Sequence, residues 1–182
     1  SKNDSQVAGY PSLPLCQMRS NCSPPDKGEP EGVARYFHMS NFASRLIHWQ
    51  RTHGRHDLPW QGADAYRVWL SEIMLQQTQV ATVIPYYQRF TASFQTIAAL
   101  AAATEEQVLT HWSGLGYYAR GRNLHATAQI IAAQHGGEFP RRFEQILELP
   151  GIGRSTAAAI CALAWHEHRA ILDGNVKRVL AR

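Results

Sequence analysis

From Ser40 to Arg182, apolar residues recur three and four apart in segments ended by glycine, and no segment alternates apolar and polar long enough for a convincing strand. That spacing gathers apolar side chains on one face of a helix, so it predicts an all-α domain of about six or more short helices. Ser40 can cap the first, whose apolar face is Phe42, Leu46, Ile47 and Trp49, with an end near Gly54. Asp64 can cap a second, bearing Tyr66, Trp69, Leu70, Ile73 and Met74. Val80, Val83, Ile84 and Tyr87 continue the pattern, with a kink expected at Pro85. Thr104 and Gln107 form a capping box ahead of Val108, Leu109 and Trp112. Gly114 and Gly116 stop that helix, and another runs through Leu124, Ile130 and Ile131 to Gly136.

The 182 residues suit one domain or a little more, and 45% hydrophobic with 18% charged excludes a collagenous, coiled-coil or wholly disordered chain. No apolar run is long enough to span a bilayer. Three scattered cysteines, Cys16, Cys22 and Cys161, are too few for a disulfide framework or a four-ligand metal site, which favours a reducing, cytoplasmic setting. Residues 1–38 hold Pro11, Pro14, Pro24, Pro25 and Pro30, lack helical periodicity, and balance their charges. They read as a disordered leader, or as upstream sequence that is not native protein, since Met39 directly precedes a helical pattern. The net charge of +4 therefore belongs to residues 39–182, where every basic residue but Lys177 is arginine. This suits a polyanionic partner without demanding one, and GC-rich codon usage explains the arginines equally well.

A more specific signal is a short helix near residues 143–148, then Leu149-Pro150-Gly151-Ile152-Gly153, then a helix from Arg154 to about Trp165. Gly151 and Gly153 permit a crowded turn, and Ile152 between them can point into the core. The turn's amides then face outward at a helix N-terminus, where the dipole and unpaired N–H groups favour a phosphate oxygen. Such a hairpin grips a DNA backbone without reading sequence. An ordinary helix-to-helix turn is the plainer alternative for the G-x-G alone.

Two carboxylates stand out. Glu72 interrupts an apolar run from Trp69 to Leu75, so it faces solvent or sits in a pocket. Asp173, in Leu-Asp-Gly-Asn before a helix over residues 176–181, is a helix cap or a catalytic anion.

Gln76 and Gln77 in SEIMLQQTQV, Gly114 to Tyr118 in WSGLGYYARGRNL, LPGIGRSTA from Leu149, and ILDGNVKRVLAR from Ile171 together resemble the helix-hairpin-helix DNA glycosylases. Within them they are most similar to the MutY-type adenine glycosylases, over about Phe42 to Arg182. The resemblance implies a six-helix barrel domain plus an incomplete second helical domain, with residues 39–182 as the catalytic region, truncated before an iron-sulfur segment. It implies a monofunctional enzyme removing adenine mispaired with 8-oxoguanine or guanine in double-stranded DNA, acting as a monomer near the bacterial nucleoid, away from membranes.

By the same resemblance Glu72 is the catalytic acid, Asp173 the catalytic aspartate, and Asn175 orients the Glu72 carboxyl or its water. Ser155 stands where glycosylases of the endonuclease III type carry a strand-cleaving lysine, and a hydroxyl cannot form an imine. Gln77, Leu115 and Tyr117 match positions that wedge or intercalate into DNA, with Gln76 and Gly116 beside them as further DNA-binding residues, and the glycines suggest that Leu115 and Tyr117 sit on an exposed loop tip. Leu149, Gly151, Ile152, Gly153, Arg154 and Lys177 match DNA contacts, and Arg55 or His56 touches the extruded adenine. Arg120 and Arg122 read as phosphate contacts or solvated arginines. No metal ligand or cofactor is expected within these residues. A [4Fe-4S] cluster belongs to the full-length family member, whose later segments would cover an apolar patch at Phe42, Leu46 and Trp49. The alternative function is a non-catalytic DNA-binding fragment, inactive because incomplete.

Overall fold

Helix α1, Glu31–His53, is the first element in a computed structural model that describes residues 31–182, with side chains from Phe42 onward. The leader expectation therefore falls largely outside the described residues. Ser40 lies inside α1 instead of capping it, because no glycine or proline interrupts residues 33–53. The chain divides into two units, Ser1–Gly54 and Arg55–Arg182. On α1, Phe42, Leu46, Ile47 and Trp49 are each about half exposed, which is the apolar patch the sequence led us to expect.

The second unit is built around α2, Ala65–Leu75, which Asp64 caps by accepting from the Arg67 N–H at 2.9 Å. Tyr66, Val68, Trp69, Leu70, Ile73 and Met74 are buried on several sides of this helix. A helix apolar on nearly every face must be enclosed by others. Three helices enclose it: α3 (Val80–Ser93), α6 (Tyr118–Gln134) and α8 (Arg154–Trp165). Pro85 lies within α3 without ending it.

Helices α4 (Ile97–Ala102) and α5 (Glu105–Trp112) pack on α6. The capping box at Thr104 and Gln107 is formed as expected. Helix α4 escapes a periodicity argument because six residues bring only Ile97 and Leu100 to the core. The fully buried Trp112 ring presses so closely on α6 that a Cβ at Gly121 would lie 3.1 Å from its Cδ2. Two shorter helices, α7 (Phe143–Leu147) and α9 (Gly174–Leu180), complete the unit. Among the described residues the fold is all-α, and no helix is long and apolar enough to cross a membrane.

Candidate active site

Glu72 lies on α2 with buried Ser71 and Ile73 on either side, and it opens onto a cleft of about 1130 Å³. The opposite wall comes from the segment leading into α9, including Leu172, Asp173 and Asn175. Burial pushes the Glu72 carboxyl up to about 7, and the negative charge of Asp173 adds to the rise. Two carboxylates 101 residues apart in sequence thus share one cleft and sense each other. Glu72 gains proton affinity chiefly because its place on the largely buried α2 removes it from water.

Asp173 caps α9: Oδ1 accepts from the Val176 N–H at 2.8 Å, and Oδ2 accepts from Asn175 Nδ2 at 3.3 Å. The capping and catalytic readings of this residue are therefore compatible, since the cap fixes the carboxylate toward the cleft. Asn175 pairs with Asp173 and not with Glu72, because two residues into the cap its amide reaches the neighbouring carboxylate first. Ser155, in the first turn of α8, donates from Oγ to the Leu172 carbonyl at 3.0 Å. It fastens the Asp173 segment to α8.

Before α8, the turn has Gly151 at φ 75° and Ile152 buried in the core. A Cβ on Gly151 would stand 3.0 Å from Asn123 Cβ, so the left-handed turn and the close approach of α6 both call for glycine here. Thr127 Oγ1 donates to the Pro150 carbonyl at 2.9 Å. Gly153 provides no side-chain cap to α8, and Gly153 and Arg154 are exposed. The first-turn amides that every helix leaves without internal partners are the groups that bind phosphate oxygens.

A family model described as HhH-GPD superfamily base excision DNA repair protein matches residues 70–182, more than half of the chain. The chain belongs to this superfamily. The adenine DNA glycosylase of Buchnera aphidicola subsp. Acyrthosiphon pisum is 49% identical over 142 residues, covering 78% of this chain and 41% of that protein. That of Mus musculus is 46% identical over 154 residues, covering 79% of this chain and 30% of that protein. The chain thus spans about two fifths of the first of these relatives and less than a third of the second. Among solved structures, a thermostable thymine-DNA glycosylase superposes with a TM-score of 0.77 at 28% identity, covering 82% of this chain and 69% of that one. A non-covalent endonuclease III–DNA complex, at 20% identity and TM-score 0.67, shares the fold over 77% of this chain and 66% of that one.

Elsewhere in this HhH-GPD chain, two loops beside the α2 terminus hold non-glycine residues in the left-handed region, Gln77 at φ 56° and Tyr117 at φ 48°. Each such residue costs on the order of 1 kcal/mol and persists where its surroundings over-determine it. Arg120, in the first turn of α6, supplies those surroundings. Its Nη1 donates to the carbonyls of Ile73 and Met74 at 3.0 Å each and to that of Gln76. Its Nη2 reaches Thr78 Oγ1 at 3.2 Å and the Gly116 and Leu115 carbonyls at 3.4 and 3.5 Å. The guanidinium also lies over the Tyr117 and Trp112 rings, 5.2 and 5.6 Å from their centroids. The expectation of a phosphate-binding or solvated Arg120 is therefore corrected, because carbonyl acceptors around it occupy its fork. Arg122 is exposed.

Other expected contacts are also relocated. Leu115 is only 6% exposed and packs in the core, so it is not a loop-tip wedge, whereas Tyr117 is 61% exposed. Between Gly114 at φ 92° and Gly116 at φ 76° the backbone turns one side chain inward and leaves the next outside. Leu149 and Ile152 are buried and anchor the hairpin from beneath, leaving Gly151, Gly153 and Arg154 on its surface. Gln76, Gln77 and Lys177 line the cleft with Glu72. Arg55 and His56 are exposed ahead of α2 and outside that lining; the Arg55 carbonyl accepts from Gln61 Nε2 at 2.7 Å.

The described residues do not fit an iron-sulfur cluster. No three His, Cys, Asp or Glu side chains gather among them, and Cys161 is a free thiol buried in α8. The part Arg120 plays, and Thr78 altogether, escaped the sequence reading, because an arginine two residues after a Tyr-Tyr pair carries no local mark of the carbonyls it will meet.

Proposed function

We propose that this chain is the catalytic part of a monofunctional DNA glycosylase that removes adenine mispaired with 8-oxoguanine or guanine from duplex DNA. The observation that carries the proposal is the shared cleft of Glu72 and Asp173, with the glutamic acid near its midpoint of titration at neutral pH. The relatives named adenine DNA glycosylase support the choice of base.

Adenine is a poor leaving group, and the C1′–N9 bond breaks with its electron pair moving to the base while positive charge develops on the sugar. Protonated Glu72 donates its proton to the extruded adenine, so that the pair departs on a neutralised base. The Asp173 carboxylate faces the developing cation, which it stabilises or captures as an ester. Water then adds at C1′ and gives up a proton to the Glu72 carboxylate, restoring the acid. This is the division of labour of paired carboxylates in glycoside cleavage. With Ser155 engaged to the Leu172 carbonyl and no amine there, base release leaves an abasic site and an uncut strand.

Substrate must be extruded first, since adenine within the stack is out of reach of Glu72. Gln77 and Tyr117 stand ready on the exposed loops, and the amides and Arg154 at the start of α8 hold the strand by its phosphates. Single-turnover release from a duplex with adenine opposite 8-oxoguanine, compared with adenine opposite thymine and developed with alkali, tests the proposal. Alkali-dependent breaks in the first duplex alone are expected. Tight binding without breaks in either would leave only a DNA-gripping module.

A further inference from the structure

We propose that Arg120 is a positioning residue for base extrusion, holding the Gln77 and Tyr117 loops in the strained form that enters the duplex. The inference rests on the glycosylase reading above. It starts from a coincidence that this reading does not use. The two loops carry two of the three non-glycine residues at positive φ among the described residues, and one guanidinium joins them. On one side Arg120 takes the Gln76 carbonyl, immediately before Gln77, and the Thr78 hydroxyl, immediately after it. On the other it takes the Gly116 carbonyl, immediately before Tyr117, and stacks on the Tyr117 ring.

The acceptors at Ile73 and Met74 belong to the last turn of α2, where helix carbonyls lack internal partners. A cation there also complements the negative end of the helix. Arg120 thus sets both loops against the helix that carries Glu72, only four residues before Gln76. Its own helix reaches the hairpin from the same face: Asn123 lies against Gly151, and Thr127 bonds the Pro150 carbonyl. Residues 120, 123 and 127 follow helical spacing, so the strand-gripping turn and the two extrusion loops share one ruler. Lysine would keep the charge but lose the planar fork that serves acceptors on opposite sides.

A defect in extrusion is separable from a defect in folding by substrate. Arg120→Lys is compared with wild type on adenine opposite 8-oxoguanine in a full duplex and on the same strand with adenine bulged out, and 2-aminopurine at the adenine position reports unstacking by fluorescence. The expected result is at least a tenfold loss of single-turnover rate on the full duplex. On the bulged strand the loss should stay within about threefold, whereas the 2-aminopurine rise on the full duplex should fall in step with its rate. Equal losses on both substrates, or an unchanged fluorescence rise, would overturn the proposal. If Arg120→Lys does not melt cooperatively, Thr78→Val removes one acceptor only and should show a selective loss of about threefold; a non-selective or absent loss is then equally decisive. Wild-type protein that releases no adenine from either substrate refutes the glycosylase reading instead, while the fluorescence comparison still judges Arg120.

Discussion

The two walls of the cleft differ in nearly every physical respect. Glu72 is carried by α2, the most enclosed helix of the unit, and Asp173 by the start of α9, a seven-residue helix with no buried residue. Burial penalises charge on the first wall, while backbone and amide N–H groups welcome charge on the second. On the proposed function, two similar side chains are thereby set to opposite tasks, donation of a proton and stabilisation of a cation. The difference shows that acid and anion need no special residue types when one is held by a core and the other by a cap.

The comparison breaks most readily at the chemistry. Glu72→Gln and Asp173→Asn should each slow single-turnover adenine release by roughly 10²–10⁴-fold while leaving gel-shift affinity for a non-cleavable duplex intact. The wild-type rate should also fall about tenfold per unit as pH rises past the Glu72 value near 7. A flat profile from pH 6 to 9 would remove Glu72 as the proton donor.

A smaller effect concerns stability. The Glu72 carboxyl rises from 4.5 to about 7 on folding, so the native state holds its proton more tightly than the unfolded chain does. Stability from this group is present below about pH 4.5, declines as pH climbs through that window, and is fully lost above about 7. Glu72→Gln should therefore match wild type in denaturant melts at pH 4.5 and exceed it at pH 8 by up to roughly 3 kcal/mol. Equal midpoints at pH 8 would mean that the acid is solvated in solution.

Asp173 bears on stability through its cap, whose Oδ1 accepts from the Val176 N–H. Asp173→Asn keeps a capping oxygen and should change stability by less than about 0.5 kcal/mol, and Asp173→Ala should cost about 1 kcal/mol. Smallest of all, Val179→Ser on the exposed face of α9 should leave the melting curve within about 0.5 kcal/mol of wild type. A large loss there would show that α9 is more firmly seated than its exposure indicates.

Much of this was legible locally. Asp64 and the Thr104–Gln107 box start helices by bonds spanning three residues, and those bonds are where the sequence put them. Ile152 faced inward as its two flanking glycines implied. The exposed-tip reading of Leu115 failed because glycines announce a turn but not which side chain the turn sends inward. The start of α1 was missed because a serine can cap a helix or ride within one, and nothing local distinguishes the two. Arg120 lay beyond reach for a different reason: its partners are 42 to 47 residues earlier in the chain as well as in its own loop.

Helical spacing, caps and the Gly-Ile-Gly turn are written within a few residues of one another, so the sequence alone pointed to an all-α domain and to a tight turn between two helices. Whether Glu72 faced solvent or a pocket was open until α2 was enclosed, because its proton affinity depends on burial within the fold and on a charge 101 residues away. Tertiary packing decided that. It brought an acidic residue of an apolar run and a half-buried helix cap to one cleft.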